Sequence, residues 1–263
     1  MPDTLSKPLT GAASNPWFVT PRRLERPGLR LFCLAHAGGA PTLFHTWPAG
    51  LPEHVEVVGI QLPGHGSRYA EKPLERMDDL VARLLPELIA ATNVPFAFFG
   101  HSMGALIACE AAGRLERVGR YAEHIFVSAC RPPHMPVTPT PMHRLPEHEF
   151  IERLRRIGGI PDTLLDLPEF LDAFLPMLRA DFTLIETWRG SQTQLLTCPM
   201  TAFVGTSDPL VTPWQMREWQ RHTGGPFVFQ DFAGGHFYLK ENQADFLARL
   251  AWEIGRNSTG ETQ

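Results

Sequence analysis

The sequence predicts an α/β fold with a doubly wound, mostly parallel sheet and a helical insertion. Short, continuously apolar runs recur along the chain, as expected for strands that helices cover on both faces. Segments with apolar residues at helical spacing follow several of these runs. One stretch in the second half of the chain carries helical patterns with no strand between them. Together these observations indicate a layered α/β domain with an inserted helical segment.

The strand and helix patterns alternate from the first third of the chain onward. The predicted strands are Leu29–Ala35, Val55–Ile60, Phe96–Phe99, His124–Ala129, Met200–Val204 and Phe227–Phe232. The predicted helices outside the insertion are Met77–Ala91, Met103–Leu115 and Ala244–Ile254. Repeated strand-then-helix order is typical of a parallel sheet with crossover helices.

The insertion starts in a proline-rich connector after Pro132 and ends near Arg189. It contains two helical segments, near Pro146–Ile157 and Pro168–Trp188. The apolar face of the second segment comprises Leu171, Phe174, Leu175, Leu178, Phe182 and Ile185. We expect the insertion to be a lid over the carboxyl edge of the sheet, lining or gating a pocket. The alternative is that it adds only core helices.

Length and composition predict a single globular domain. The chain has 263 residues and an apolar fraction of 43%, and α/β folds of this length are often undivided. The predicted organisation is a loose lead-in over 1–25, one domain over 26–255 with the lid at about 132–189, and a polar tail over 256–263. We find no apolar leader segment and no apolar run of bilayer-spanning length, and we therefore expect a cytoplasmic protein with no membrane partner.

Charge and cysteine pattern exclude several classes of function. A formal net charge of -4 disfavours a nucleic-acid partner, because phosphate binding requires a basic field. The cysteines have neither the spacing nor the histidine neighbours of a zinc site, so we expect buried free thiols in a reducing compartment. They are Cys33, Cys109, Cys130 and Cys198. We expect no metal, no organic cofactor and a monomer.

The candidate nucleophile lies where a strand changes into a helix. Strand Phe96–Phe99 runs into Gly100–His101–Ser102–Met103–Gly104, a G-x-S-x-G motif that a helical pattern follows. A side chain at either glycine would collide with neighbouring backbone in so sharp a turn. Ser102 would then be exposed at a helix N-terminus, where negative charge is favoured. Ser102 is the predicted nucleophile, and an ordinary Gly–Ser turn is the alternative.

A serine hydroxyl needs a general base to become nucleophilic. Among eleven histidines, His236 fits best, because it follows a strand and two glycines, Gly234 and Gly235, let its loop fold close to Ser102. His101 is adjacent to Ser102, but neighbouring side chains diverge at such a turn. We therefore expect His101 to be structural.

The acid that orients the base should lie between serine and histidine in the chain, just after a strand. Asp208 meets this requirement, since it follows Met200–Val204 in a turn that Pro209 stiffens. Its role would be to hold the imidazole tautomer and stabilise the imidazolium. Asp181 in the lid and Asp231 near the end of the next strand are weaker candidates.

Two backbone N–H groups are needed to hold the oxyanion of a tetrahedral intermediate. The N–H of Met103, directly after the nucleophile, is the first candidate. The second is the N–H of Ala37, in the loop His36–Ala37–Gly38–Gly39 that follows the first predicted strand. The alternative is that this loop is a plain glycine-rich turn.

Five motifs occur in an order that resembles a known family. They are His36–Ala37–Gly38–Gly39, Gln61–Leu62–Pro63–Gly64–His65–Gly66–Ser67–Arg68, Gly100–His101–Ser102–Met103–Gly104, Gly205–Thr206–Ser207–Asp208 and Gly234–Gly235–His236–Phe237. Together they resemble the type II thioesterases that accompany polyketide and non-ribosomal peptide synthases, which have the α/β-hydrolase fold. They also resemble the thioesterase that releases medium-chain products from animal fatty acid synthase. The resemblance covers about residues 25–255.

The resemblance implies an editing enzyme that removes unproductive acyl groups from the phosphopantetheine arm of carrier proteins. It also implies a discrete protein that docks transiently on a carrier. The family's loop often reads Pro–Gly–Arg where this chain has Pro63–Gly64–His65, and no catalytic role is expected for His65. A small-molecule carboxylesterase or lipase of the same fold is one alternative. A non-enzymatic binding module is the other, and the complete Ser102, Asp208 and His236 set disfavours it.

Overall fold

The structure is a computed structural model that describes residues 15–136, 140–190 and 195–259. Residues 1–14 of the predicted lead-in and 260–263 of the predicted tail lie outside the described residues, as do 137–139 of the proline-rich connector. What was expected of these residues therefore stays a prediction.

The described residues form one sheet of seven strands. In chain order the strands are β1 (Phe18–Val19), β2 (Leu29–Leu34), β3 (Val55–Ile60), β4 (Phe96–His101), β5 (His124–Ser128), β6 (Met200–Gly205) and β7 (Phe227–Phe232). Their order across the sheet is β1-β3-β2-β4-β5-β6-β7. Every neighbouring pair is parallel except β1 with β3. The prediction of a mostly parallel α/β sheet is confirmed, and all six predicted strands are present.

The edge strand β1 was not predicted. Although it falls within the predicted loose lead-in, Trp17 beside it is only 7% exposed. The N–H of Gln61 donates to the Trp17 carbonyl at 2.8 Å, and the Phe18 ring lies 5.8 Å from the Phe32 ring. The chain thus joins the core before residue 25. A strand of two residues is too short to show a period of apolar residues.

The strands are continuously apolar because both faces of the sheet are packed. Successive side chains of a strand point to opposite faces. On one face the Phe98 ring lies 5.5 Å from Phe32. On the other, Phe99 lies 4.9 Å from Trp47 and 5.6 Å from Phe246. All six residues of β4 are buried as a result.

The five predicted helices lie close to their predicted positions, and three short helices of the described residues were not predicted. In chain order the helices are α1 (Met77–Ala91), α2 (Met103–Glu116), α3 (Glu147–Ile157), α4 (Asp162–Leu165), α5 (Pro168–Thr187), α6 (Pro213–Arg217), α7 (Tyr238–Glu241) and α8 (Gln243–Thr259). Those that were not predicted are α4, α6 and α7. Helix α8 continues past residue 256, where the polar tail was predicted to begin. In the described parts of the chain, none of the helices combines the length and apolar character needed to cross a membrane.

The insertion between β5 and β6 is helical, as predicted. Its described residues form a short 3₁₀ turn at Met142–Arg144 and helices α3, α4 and α5. These elements share a hydrophobic cluster of their own, separate from the main core, with Phe150, Leu165 and Leu178 among its buried members. Ala37 packs against both clusters. The lid therefore meets the body of the protein at the glycine-rich loop.

All four cysteines are free thiols. Cys33, Cys109 and Cys198 are buried, as predicted, whereas Cys130 is partly exposed. Cys130 follows the end of β5 at the carboxyl edge of the sheet, where the packing of the strands stops.

Phe246 on α8 is expected to be a major contributor to core stability. Its ring lies within 6 Å of five aromatic rings, those of Trp47, Phe99, Phe203, Phe232 and Tyr238. We predict that Phe246→Ala lowers the free energy of unfolding by about 3–5 kcal/mol, measured by urea denaturation. Trp252→Ala on the same helix, at a site 50% exposed, is the control, with an expected loss below about 1 kcal/mol. Equal losses in the two variants would contradict this account of the core.

Candidate active site

Ser102 lies at the turn between β4 and α2 in a strained backbone conformation. Its φ is 55° and its ψ is -120°, a region that side-chain-bearing residues occupy only when their surroundings hold them there. A Cβ on Gly100 would lie 2.2 Å from the Gly104 carbonyl oxygen, and a Cβ on Gly104 would lie 2.2 Å from that of Leu34. The Ser102 N–H donates to the Ser128 carbonyl at 2.8 Å. The two glycines of the motif are thus required by close backbone contact.

His236 and Asp208 are paired at the carboxyl edge of the sheet. The Nδ1 of His236 lies 2.8 Å from the Oδ2 of Asp208, and His236 is 3% exposed. Because a carboxylate only accepts, Nδ1 carries the proton, and Nε2 of the neutral ring is left as an acceptor. The Oδ1 of Asp208 accepts from the N–H groups of Leu210 at 2.8 Å and Val211 at 3.3 Å.

The loops that carry Asp208 and His236 are fastened to each other. A Cβ on Gly205 would lie 2.2 Å from the carbonyl oxygen of Gly235, so only glycine fits at this approach. The Ser207 N–H donates to the Gly234 carbonyl at 2.9 Å. Asp208 and His236 are therefore positioned by backbone contacts between the ends of β6 and β7.

Ser102 and His236 line the same cavity, which has a volume of about 450 Å³. The loop His36–Gly39 forms another part of its wall. The lid contributes apolar side chains, including Leu154, Ile157, Phe174, Leu178, Phe182 and Ile185. Of the lid residues named in the sequence analysis, Leu171 and Leu175 do not belong to this wall and instead pack in the lid's own cluster.

The two predicted oxyanion donors belong to different parts of the chain, the loop after β2 and the start of α2. Ala37 is in the cavity wall. Met103 is the first residue of α2, where a backbone N–H has no acceptor within the helix. The side chain of Met103 is buried, at 1% exposure, which leaves its backbone as the group available to the site.

The other acidic residues considered in the sequence analysis do not pair with His236. Asp231 is exposed near the end of β7. Asp181 is 2% exposed on the lid helix α5, and its Oδ2 lies 2.9 Å from Nε2 of His65. Both Asp181 and His65 therefore belong to a separate buried pair.

His101 lies behind the serine turn, outside the cavity wall. It is fully buried, and its Nδ1 lies 2.8 Å from Oγ of Ser128, which in turn lies 2.7 Å from the Tyr238 hydroxyl. Burial, followed by the charges of His236, His36 and Lys240, holds the pKa of His101 well below its ordinary value. These contacts fit the structural role expected for His101.

Two titratable side chains of the cavity wall, those of His36 and Lys240, were not predicted from the sequence. His36 belongs to a motif for which only a backbone role, as an oxyanion donor, was predicted. Lys240 belongs to none of the five motifs. Burial, with the charges of Lys240, His236 and His65, lowers the pKa of His36 to about 3. His36 is therefore neutral at neutral pH, and its ring packs 4.9 Å from Phe237. A ring that lines a pocket without hydrogen-bonding to the reacting groups has no sequence signature.

A second cavity of about 430 Å³ has a different character. Its wall is largely charged and includes Arg76, Asp78, Glu110, Arg114 and Arg117. None of its wall residues belongs to the five motifs. The cavity at Ser102 is therefore the candidate active site.

Comparison with known proteins relates the chain to thioesterases. Residues 29–252 match the thioesterase domain family. The gramicidin S biosynthesis protein GrsT of Aneurinibacillus migulanus is 36% identical over 241 residues, which are 91% of this chain and 94% of that protein. The medium-chain S-acyl fatty acid synthase thioesterase of Homo sapiens is 33% identical over 224 residues, 80% of each chain. The type II thioesterase BorB from the borrelidin biosynthetic cluster has a TM-score of 0.83 and 39% identity, covering 92% of this chain and 98% of that one.

The chain belongs to the thioesterase family. The resemblance to type II thioesterases that the five motifs indicate is confirmed, and so is the prediction of a thioester-hydrolysing enzyme.

The strain at Ser102 predicts a difference in stability between two variants. Ser102→Gly removes both the hydroxyl and the Cβ, whereas Ser102→Ala removes the hydroxyl alone. Because glycine tolerates a φ of 55°, we expect Ser102→Gly to be more stable than Ser102→Ala by about 1 kcal/mol in urea denaturation. Elsewhere in a folded chain glycine is normally the less stable of the two. An alanine variant at least as stable as the glycine variant would show that this turn is unstrained.

Burial of neutral His36 predicts acid sensitivity. The unfolded chain takes up a proton at His36 below about pH 6.5, whereas the folded chain does so only near pH 3. Stability should therefore fall as the pH drops below 6.5, by about 1.4 kcal/mol per pH unit from this group. We predict that His36→Phe has a correspondingly shallower loss of unfolding free energy between pH 6 and pH 4.

His148→Phe is the control for this titration, since the His148 side chain is 81% exposed. Its stability should follow that of the wild type across the same range, measured by urea denaturation at each pH. If His36→Phe also follows the wild type, His36 is not buried as a neutral ring.

Proposed function

We propose that the protein is an editing thioesterase of polyketide or non-ribosomal peptide biosynthesis. It would remove stalled or aberrant acyl groups from the phosphopantetheine arm of carrier proteins. The observation that carries the proposal is the shared apolar cavity, which brings Ser102 together with the His236–Asp208 pair under a helical lid. The relatives named for gramicidin S and borrelidin biosynthesis support the choice of pathway class.

In the first half of the reaction His236 acts as general base. Its Nε2 takes the Ser102 proton as Oγ attacks the thioester carbonyl, and the carbonyl oxygen becomes an oxyanion held by the N–H groups of Ala37 and Met103. Collapse of this intermediate breaks the carbon–sulfur bond. The pantetheine sulfur leaves with the proton from the imidazolium, and the acyl group remains as an ester on Ser102.

In the second half water replaces the thiol. His236 removes a proton from water as its oxygen attacks the acyl ester, and the same oxyanion site holds the second intermediate. Collapse returns the proton to Oγ of Ser102 and releases a carboxylic acid. Asp208 keeps the His236 tautomer that has Nε2 free, and it stabilises the imidazolium in both halves.

The cavity supports broad acyl selectivity. Its lid wall is formed by side chains such as Phe174, Leu178 and Phe182, which contact an acyl chain without directional bonds. One methylene contributes only about 1–3 kcal/mol to discrimination in an apolar pocket. The enzyme should therefore discriminate only weakly between acyl chains of similar length.

The proposal also covers the oligomeric state, the docking partner and the cellular location of the enzyme. We propose a monomer, with residues 26–255 as one catalytic domain, that docks transiently on an acyl-loaded carrier protein. A cytoplasmic location fits its four free thiols, because disulfides would be expected in an oxidising compartment.

The deciding experiment measures deacylation of a loaded carrier. Carrier protein bearing acetyl-, propionyl- or longer acyl-phosphopantetheine is incubated with the enzyme, and intact mass reports the loss of the acyl group. We expect the wild type to deacylate each carrier and Ser102→Ala to be slower by at least about 1,000-fold. Ser67→Ala, at an exposed serine, is the matched control and should act as the wild type does.

Two other outcomes have definite meanings. If the carrier stays loaded while nitrophenyl esters are cleaved, the protein is a small-molecule esterase and the editing role is wrong. If Ser102→Ala retains wild-type deacylation, Ser102 is not the nucleophile.

A further inference from the structure

The lid helix places a buried carboxylate against the glycine-rich loop. Asp181 on α5 accepts a hydrogen bond from the Gly38 N–H at 2.7 Å through its Oδ2. The same oxygen lies 2.9 Å from Nε2 of His65. These contacts join parts of the chain that are 143 and 116 residues apart. The lid, the loop at 36–39 and the loop at 61–68 therefore meet at one oxygen atom.

His65 is charged in this arrangement. Its Nδ1 lies 2.9 Å from the Pro63 carbonyl oxygen, and its Nε2 lies against the Asp181 carboxylate. Both partners only accept, so both ring nitrogens must donate, which is possible only for the imidazolium. Burial lowers the pKa of His65, but the hydrogen bond and charge of Asp181, together with the Pro63 carbonyl, outweigh burial and raise it.

The ion pair is anchored on the body of the protein. The Gln61 side-chain amide donates to the His65 carbonyl at 2.6 Å. His65 and Asp181 are each 3% exposed at the side chain. The carboxylate is therefore held from one side by a fixed cation and presents its oxygen to Gly38 from the other.

The Gly38 N–H belongs to the same peptide plane as the Ala37 carbonyl. Because a peptide unit is planar, holding the Gly38 N–H fixes the orientation of the plane that follows Ala37. A second hydrogen bond, from the Gly39 N–H to the His36 carbonyl at 2.8 Å, closes the turn around it. Only the two backbone torsions of Ala37 then separate the held plane from the Ala37 N–H.

The loop also lies directly against the lid helix. Gly38 has a φ of +74°, and a Cβ at this position would lie 2.7 Å from Cδ2 of Leu178, one turn before Asp181 on α5. The contact combines a short hydrogen bond with a close steric fit. A shift of α5 would change both at once.

We propose that Asp181 is a positioning residue that holds the Ala37 N–H in its oxyanion-binding orientation while the lid helix is seated. This inference rests on the proposed function, which assigns the Ala37 N–H to the oxyanion. Catalytic competence is then coupled to the lid, because an unseated α5 releases the Gly38 peptide and misplaces the donor. A misplacement of about 1 Å in such a site costs on the order of 100-fold in rate.

The test compares Asp181→Ala with a matched variant on the same helix. Glu186 of α5 is also a buried carboxylate, but it accepts from the N–H groups of Met142 at 2.8 Å and His143 at 3.0 Å, away from the glycine-rich loop. Glu186→Ala therefore removes a buried carboxylate and two backbone hydrogen bonds within the lid without touching Gly38. Asp181→Asn keeps an oxygen that can accept from Gly38, and it provides a conservative rescue if the alanine variant folds poorly.

Two inhibitors separate the oxyanion site from substrate binding. In a trifluoromethyl ketone analogue of an acyl-pantetheine, the carbonyl accepts Oγ of Ser102 and its oxygen becomes an oxyanion. A thioether analogue occupies the same cavity and forms no oxyanion. For Asp181→Ala we expect kcat to fall about 10- to 100-fold and the inhibition constant of the ketone to rise by the same factor.

The control measurements should change much less. KM and the inhibition constant of the thioether should change by less than about threefold in Asp181→Ala, because substrate binding is intact. Glu186→Ala should leave both inhibition constants within about threefold of the wild type, and Asp181→Asn should recover most of the ketone affinity. These results would establish a positioning role, because a loss of stability alone would not weaken ketone binding selectively.

Three results would overturn the inference. In the first, ketone and thioether affinities fall together in Asp181→Ala. In the second, neither affinity changes while stability falls. In the third, Glu186→Ala weakens the ketone as much as Asp181→Ala does. If the wild type itself binds the ketone no better than the thioether, the assigned oxyanion site fails, and the error lies in the proposed function.

Discussion

The sharp turn at Ser102 is the constraint on which the rest of the site depends. The chain leaves β4 and enters α2 within one residue, and Ser102 takes a positive φ of 55° to do so. Such a conformation costs about 1–3 kcal/mol and persists only where neighbouring structure enforces it. Here the enforcement comes from the backbone of Leu34 on β2, against which Gly104 packs without a side chain. The strain at Ser102 is thus sustained by the central strands of the sheet.

The parallel sheet explains why distant residues converge on that turn. Parallel strands end at the same edge, so the loops after β2, β4, β6 and β7 meet there. Each of these loops contributes one part of the site. The glycine-rich loop follows β2, Ser102 follows β4, Asp208 follows β6 and His236 follows β7. The edge strand β1 lies at one end of the sheet and contributes stability without contributing chemistry.

How far the sequence predicts the structure depends on how local each signal is. The positions of Ser102 and His236 at strand ends beside the cavity could be predicted, because each follows an apolar strand and stands beside glycines that a tight turn requires. The six longer strands could be predicted because burial on both faces makes them continuously apolar. Strand β1 was not predicted, because two residues are too few to show a period of apolar side chains. Leu171 and Leu175 were expected at the cavity but pack in the lid's own cluster, because helical spacing does not distinguish a face toward that cluster from a face toward the pocket.

Contacts between remote parts of the chain lie beyond local patterns, and Asp181 illustrates why. At the sequence level it is one acidic residue in an apolar helix, which made it a weak candidate for the orienting acid. Its partners, Gly38 and His65, are more than 100 residues away. An apolar side chain at position 181 would also fit the apolar pattern of the helix. Replacing a buried ion pair with well-packed apolar residues is often neutral or stabilising. Packing therefore gives no reason for a carboxylate here. The geometry gives one, because only an acceptor at this point can hold the Gly38 peptide in place.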